Sequence, residues 1–426
     1  MKQPIFPLAA FAAAALVSLA PGSIQAQALT WDQVKARFEA SNPALKADAD
    51  NVDEARAEEI TAYLRPNPQA GVTADGTQIA PQNGVWEPLA GTFVVPSISY
   101  LHERDHKREL RLKSAQEGTQ ITASEHEDLK RTLEFTLRAA FVNTLEAKTV
   151  VDMARNDLDY YDRIIAISRD RLNAGDIAQI DFARIELLRV NYESELQTAI
   201  VNLRTAKIQL LQLLNDDRTP VAQFDVTGPF DFSGTLAPLA SFRQIALANR
   251  PDLQAALQTI QQSDTNHKLA IANGSTDPTF GAWYTWNAST NNPNADQTLG
   301  LSVNIPLRVF DRNQGEKQRT QIDIDRSRQA AEAARAQVFS DVDTAYAEVE
   351  SNIELLKPYK DKYNAEALNV RDTVTYSYQH GGASLMDFLN AQSDYRQVQL
   401  AYAQLIGAYL TAAGQLNLAV GREVIP

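Results

Sequence analysis

Apolar positions along this chain recur with two different periods, and the change between them divides it into elements. A period of two is clearest where Leu299, Leu301, Val303, Ile305 and Leu307 alternate with Thr298, Gly300, Ser302 and Asn304. Successive side chains of a strand point to opposite faces, so this stretch predicts a strand with one apolar and one small or polar face. Phe280 to Asn287 puts Phe280, Ala282, Tyr284 and Trp286 on one side, and the polar loop 288–296 joins the two. An earlier pair is predicted at Gln69–Gly76 and Phe93–Leu101, joined by a Gly/Pro-containing loop from Thr77 to Gly91. Four strands follow, each near the 9 to 11 residues expected of a tilted membrane strand.

After each strand pair the apolar spacing switches to steps of three and four. From about Lys107 to Leu172, and from about Gln314 to Gln379, the only interior proline is Pro358. A helix of that length measures roughly 100 Å at about 1.5 Å per residue. Returning arms run from Ile177 to Leu214 and from Ser384 to Val420. The first has the seam Ile185, Leu188, Tyr192, Leu196, Ala199, Leu203, Ala206 and Leu210, and the second a like seam from Phe388 to Leu416. Such a repeat predicts helices packed side by side in a coiled-coil manner. The tips between arms are alike: Gly175 and Asp181-Phe182 in one, Gly381 and Asp387-Phe388 in the other, 206 positions later.

The opening helices also repeat, with Asn42-Pro43-Ala44-Leu45 matched by Arg250-Pro251-Asp252-Leu253. Constant spacing over a whole half-chain predicts an internal duplication. The organisation expected is residues 29–225, a connector at 226–240 overlapping the proline-bearing segment 215–239, and residues 241–426, with tips about 173–181 and 379–387.

Composition then narrows the setting. Residues 1–28 have a basic start at Lys2, an apolar run from Leu8 to Ala20 and the small-x-small site Ala26-Gln27-Ala28, which predicts an export signal. There is no cysteine, so neither a disulfide nor a lipid on cysteine is expected. A formal charge of −13 argues against nucleic acid as a partner. No other stretch reaches the roughly 18 consecutive apolar residues of a membrane helix. If the exported chain enters a membrane, strands must carry it. Four strands cannot close a barrel, and an open edge in lipid leaves backbone groups unsatisfied; three copies supply 12 strands, leading into a shared helical tube. The other reading of the strands is a pair of soluble hairpins lying on the helices.

Chemistry-bearing motifs are scarce. There is no Gly-x-Ser-x-Gly, no phosphate-binding glycine loop and no zinc-protease histidine pair, so no enzyme and no cofactor is expected. His102 and His106 are four apart near Glu103 and Asp105, and read as a polar interfacial collar more readily than as metal ligands. Trp283, Tyr284 and Trp286 suit a membrane-interface belt or a barrel mouth.

The series Asn42-Pro43-x-Leu45, Pro68 and Pro278 before the strands, Arg171-Leu172-x-x-Gly175, Tyr376-Ser377-Tyr378-x-x-Gly381 and Gly414-x-Leu416 resembles the outer membrane efflux protein family of TolC-like channels along essentially the whole mature chain. That resemblance implies a mainly α fold with a membrane β part, in which two structural repeats give four strands per chain to a 12-stranded trimeric β-barrel continuing into a long α-helical barrel. It implies a passive duct in the Gram-negative outer membrane, working as a homotrimer with a periplasmic adaptor protein and an inner-membrane transporter. The strand-to-helix junctions Ile305-Pro306-Leu307-x-Val309-Phe310-Asp311-Arg312-Asn313-Gln314-Gly315-Glu316 and His106-Lys107-Arg108 resemble the cobalt-zinc-cadmium branch, with drug efflux and type I secretion as alternatives. By the same resemblance, Arg171, Leu172, Gly175, Gly381 and Gly382 meet the adaptor. Asp387, Asn390 and Tyr378, with Asp181 and Arg184 of the first repeat, narrow or gate the channel. Simple helix capping is the other role open to Asp181 and Asp387. A periplasmic coiled-coil adaptor without a pore is the alternative from a different class.

Overall fold

The computed structural model describes residues 28–286 and 295–425. All but the last residue of the expected export signal, and Asn287 with most of the loop at 288–296, lie outside the described residues.

Each half opens with two short helices, α1 (Trp31–Ser41) and α2 (Pro43–Ala62), then later α5 (Leu239–Asn249) and α6 (Pro251–Asn273). A single residue makes each break. Asn42 donates its backbone N–H to the Phe38 carbonyl to end α1, and its side chain accepts from the Leu45 N–H at 3.0 Å to start α2. Pro43 stands at the first helical position, where a missing N–H costs nothing. Arg250 and Pro251 repeat the break, but the Arg250 side chain is buried, 4% exposed. Its guanidinium bonds Asp252, Asp341 at 2.8 Å and the Ala419 carbonyl, while Arg131 bonds the Leu418 carbonyl beside it. Two cations therefore meet the last turn of the final helix, where orphan carbonyls carry partial negative charge.

The long arms are α3 (Lys107–Ala174), α4 (Gln179–Leu213), α7 (Gln314–Pro358), α8 (Asn364–Gln379) and α9 (Leu385–Val420). α3 packs along α4 on one side and α9 on the other, and α9 packs along α7, giving a layer ordered α4–α3–α9–α7/α8. Ile185, Ala199, Ala206 and Leu210 of the first seam are buried, and its remaining members are half-buried. The second arm is interrupted, unlike α3. A π-helical turn at Tyr359–Tyr363 follows Pro358. Proline removes a donor and its ring crowds the carbonyl four residues back, so the next turn widens.

The strands β1 (Gln69–Asp75), β2 (Phe93–Leu101), β3 (Thr279–Trp286) and β4 (Gln297–Asn304) form one antiparallel sheet in the order β1-β2-β3-β4, so β2–β3 joins the halves. β4 stops at Asn304, short of Leu307, because Pro306 cannot donate to a ladder. β1, at seven residues, and β4, at eight, are shorter than the sequence pattern suggests, while β3 keeps its eight. β1 and β4 leave the sheet with two unpaired edges.

The segment between the halves is built into the core. Leu29 donates to the Asp225 carbonyl and accepts from Thr227, both at 2.9 Å, and Phe224, Val226 and Phe232 are buried.

Candidate functional site

Three features stand at places where function is expected: the faces of the sheet, the junction below it and the hairpin tips. The pairing register sorts the sheet. On one face lie Ala70, Val72 and Ala74, then Val94, Pro96, Ile98 and Tyr100, then Phe280, Ala282, Tyr284 and Trp286, then Leu299, Leu301 and Val303. This face is apolar throughout its middle and exposed, with Leu301 at 77% and Val72 at 74%. The reverse face carries Gly71, Thr73, Ser97, Ser99, Gly281, Thr285, Gly300 and Ser302, with Phe93, Val95 and Leu101 of β2 among them and Trp283 laid over Gly300. Trp286 and Tyr284 thus share the apolar side and Trp283 does not, as the alternation in the sequence predicts. Alternation of this kind gives a sheet one face for hydrocarbon and one for water.

At the junction, Lys107 is buried and its ammonium bonds Asp277 at 2.6 Å and the Ser275 carbonyl at 3.1 Å. Asp277 also accepts from the Arg104 backbone N–H at 2.9 Å, tying the start of α3 to the start of β3. His102 lies edge-on to Phe280, and His106 is exposed 3.9 Å from Glu109. Among the described residues no group of three or more histidines or carboxylates is placed to hold a metal.

The two tips share one backbone motif. Gly175 has φ 86°, the Asp176 N–H reaches the Arg171 carbonyl at 2.8 Å and the Gly175 N–H reaches Leu172 at 3.0 Å. Gly381 has φ 78°, with Gly382 bonded to Ser377 at 2.7 Å and Gly381 to Tyr378 at 3.1 Å. This is the Schellman stop, which needs a left-handed residue and so favours glycine.

Beyond the stops the tips differ. Ser384 and Asp387 form a capping box: the Ser384 side chain accepts from the Asp387 N–H, and the Ser384 N–H donates to the carboxylate, each at 3.1 Å. The Ser384 hydroxyl also donates to it at 2.7 Å, and these bonds hold the Asp387 carboxyl below its usual range. Asp181 has Ala178 in place of that serine and lies 3.8 Å from Arg184 within its own helix, both ends solvated. Asn390 is exposed one turn on.

Tyr378 does not project from the tip. Its ring is 4% exposed, stacked on Phe388 with centroids 5.0 Å apart, and its hydroxyl is buried with no partner among the described residues. Tyr161 and Ser168 likewise bury unpartnered oxygens in this region, and burial pushes the Tyr161 phenol up. Arg171 crosses between hairpins, donating to the Tyr378 carbonyl at 2.7 Å with its guanidinium 5.0 Å from that ring's centre. Leu172 packs against the same cluster, while Gly175, Gly381 and Gly382 are exposed. One turn deeper, Tyr160 donates to Thr375 at 2.9 Å and Gln392 to Thr375 at 3.2 Å. Sequence reasoning missed this polar layer; the signal available was a glutamine, Gln392, beside the apolar seam at Ala391.

Comparison with known proteins bears on this arrangement directly. Residues 242–422 match the family described as "Outer membrane efflux protein". The second half is therefore similar to that family. Over 405 residues the chain is 22% identical to the cobalt-zinc-cadmium resistance protein CzcC of Cupriavidus metallidurans, covering 92% of this chain and 90% of that one. The fold is that of CusC, TM-score 0.72 at 17% identity with 92% of each chain covered, and of the open-state Neisseria gonorrhoeae MtrE outer membrane channel, TM-score 0.73 at 16% identity with 95% and 94% covered. The proteins the chain resembles in fold are described as outer-membrane or transmembrane channels.

Proposed function

We propose that three copies of this chain form a passive outer-membrane exit duct of a tripartite pump, exporting heavy-metal cations. The observation that carries the reading is the two-faced sheet whose every strand pair runs directly into a long helix. Because β1 and β4 are open edges, β4 of one copy pairs with β1 of the next, and 12 strands from three copies leave no edge in lipid. The α4–α3–α9–α7/α8 layer then continues as a helical tube across the periplasm. Repeats at 29–225 and 241–426 supply the two kinds of hairpin. The exposed tip glycines 175, 381 and 382 face a periplasmic adaptor, and an inner-membrane transporter supplies the energy. Asp387, Asn390, Asp181 and Arg184 ring the narrow end, with Arg171 and Tyr378 joining unlike hairpins behind it.

The metal reading is supported by the likeness to CzcC and by the junction from Ile305 to Glu316. Two measurements test the proposal. Purified protein should migrate as a heat-modifiable trimer in detergent, and a soluble monomer would sink the duct. A deletion strain should become sensitive to cobalt, zinc or cadmium; unchanged metal tolerance with new drug sensitivity would move the cargo to small organic molecules.

A further inference from the structure

The apolar row on β4 does not stop where the ladder stops. Leu299, Leu301 and Val303 are followed by Ile305, Leu307 at 83% exposed and Phe310 at 92%. The segment is ordered by its own bonds: Val309 N–H to the Leu307 carbonyl at 3.0 Å, Asn313 N–H to Asp311 at 2.8 Å, and the Asn313 side chain to the Ala270 carbonyl at 2.8 Å. Phe310 is therefore held outward at the helix-side end of the sheet. Across the sheet, the end of α2 shows Leu64 at 60% exposed just before β1.

Guanidiniums stand among these apolar groups. Of the carboxylates nearby, Glu103 is taken by Arg111 at 2.9 Å, Asp277 by Lys107 and Glu109 by Arg108 at 3.0 Å, while Asp311 accepts from a backbone N–H of its own turn and, like Asp105, has no cation partner among the described residues. Arg65, Arg104, Arg308 and Arg312 have no carboxylate partner among the described residues, and the Nε of Arg308 is buried with nothing to bond. Four cations without ion pairs against two such carboxylates, Asp105 and Asp311, leave this level locally positive in a chain with net charge −13, which suits an anion from outside it. Arg65 precedes β1 and Arg308 follows β4, so edge pairing between copies brings these like charges towards each other at every subunit boundary.

We infer that the sheet–helix junction is a binding surface for anionic phospholipid, with headgroup phosphates held by Arg65, Arg104, Arg308 and Arg312 and acyl chains lying against Leu307 and Phe310. Guanidinium matches phosphate oxygens in a two-pronged geometry, and apolar side chains beside it suit the lipid interface. Lipid phosphate at the β4/β1 boundary cancels the repulsion between neighbouring copies. This rests on the reading of the sheet as membrane-spanning.

The test uses the full chain in nanodiscs of equal phosphatidylcholine and phosphatidylglycerol, released into detergent, with retained lipids counted by native mass spectrometry. The trimer should keep phosphatidylglycerol in preference to phosphatidylcholine. R308Q/R312Q should reduce that enrichment by about fivefold for each arginine, and R204Q on the exposed face of α4 should leave it unchanged. Equal retention of both lipids by an intact heat-resistant trimer overturns the inference alone. Failure of the protein to enter nanodiscs as a trimer overturns the duct reading with it. If R308Q/R312Q falls apart equally in lipid-free detergent, the arginines pair with a neighbouring chain and the inference is wrong.

Discussion

Arg171 at the end of α3 donates to the backbone carbonyl of Tyr378 in α8 at 2.7 Å and lies over the same residue's ring. One side chain thus ties the first hairpin to the second at the tips. A charged hydrogen bond is worth about 1.5–3 kcal/mol and an exposed cation–π contact about 0.5–1 kcal/mol. Arg171→Ala should loosen the tips and raise single-channel conductance in planar bilayers. Arg171→Lys should fall between, since it keeps the charge and loses the planar donor. Conductance equal to the wild type in both would remove Arg171 as a link.

The Ser384–Asp387 box makes a pH-dependent prediction. The Asp387 carboxyl is held below its unfolded value, so its contribution is present above the unfolded pKa of about 3.9 and is lost as pH falls through the lower folded value. Hydrogen-exchange protection factors at the first amides of α9 should be flat near neutrality and should fall only under acid. Ser384→Ala should raise exchange at neutral pH as well.

Glycine substitutions separate backbone strain from crowding. A Cβ at Gly175 or Gly381 meets nothing within 4 Å, so only the left-handed φ resists, at about 1–2 kcal/mol. Gly175→Ala and Gly381→Ala should leave heat-resistant trimer intact while weakening adaptor cross-linking. Gly300→Ala should do the reverse, because its Cβ would collide with the Trp283 indole. A normal trimer yield from Gly300→Ala would show that Trp283 can move aside.

Arg250→Ala should be the most damaging change of the group. It leaves Asp252 and Asp341 without their buried partner, a loss of about 3–5 kcal/mol for a broken buried pair. Calorimetry should show a lower Tm, with Arg250→Lys recovering only part of the loss.

Periodicity made the sheet and the arms legible, because Leu299 to Val303 and Ile185 to Leu210 repeat with the spacing of their surroundings. The tips were half legible. Gly175 and Gly381 announce a left-handed stop, and Ser384-x-x-Asp387 is a readable cap, but whether a carboxylate turns inward on its own helix is decided by a hydroxyl three residues away. Pro358 was visible without its effect, since a proline can kink, end or widen a helix. The Arg250 cluster was not visible at all. Its partners Asp341 and Ala419 lie 91 and 169 positions away, and nothing local reports that convergence.

The π-turn after Pro358 gives the two arms different mechanics. α3 is one unbroken rod, whereas the second arm has a compliant point at residues 359–363 and a stiff lever beyond it from Asn364 to Gln379. That lever is about 24 Å long at about 1.5 Å per residue, so a bend of about 10° at its base swings the tip sideways by about 4 Å. A push on the molecule's far end is therefore absorbed unequally: the second hairpin yields at a fixed point, and the first carries the load along its whole length.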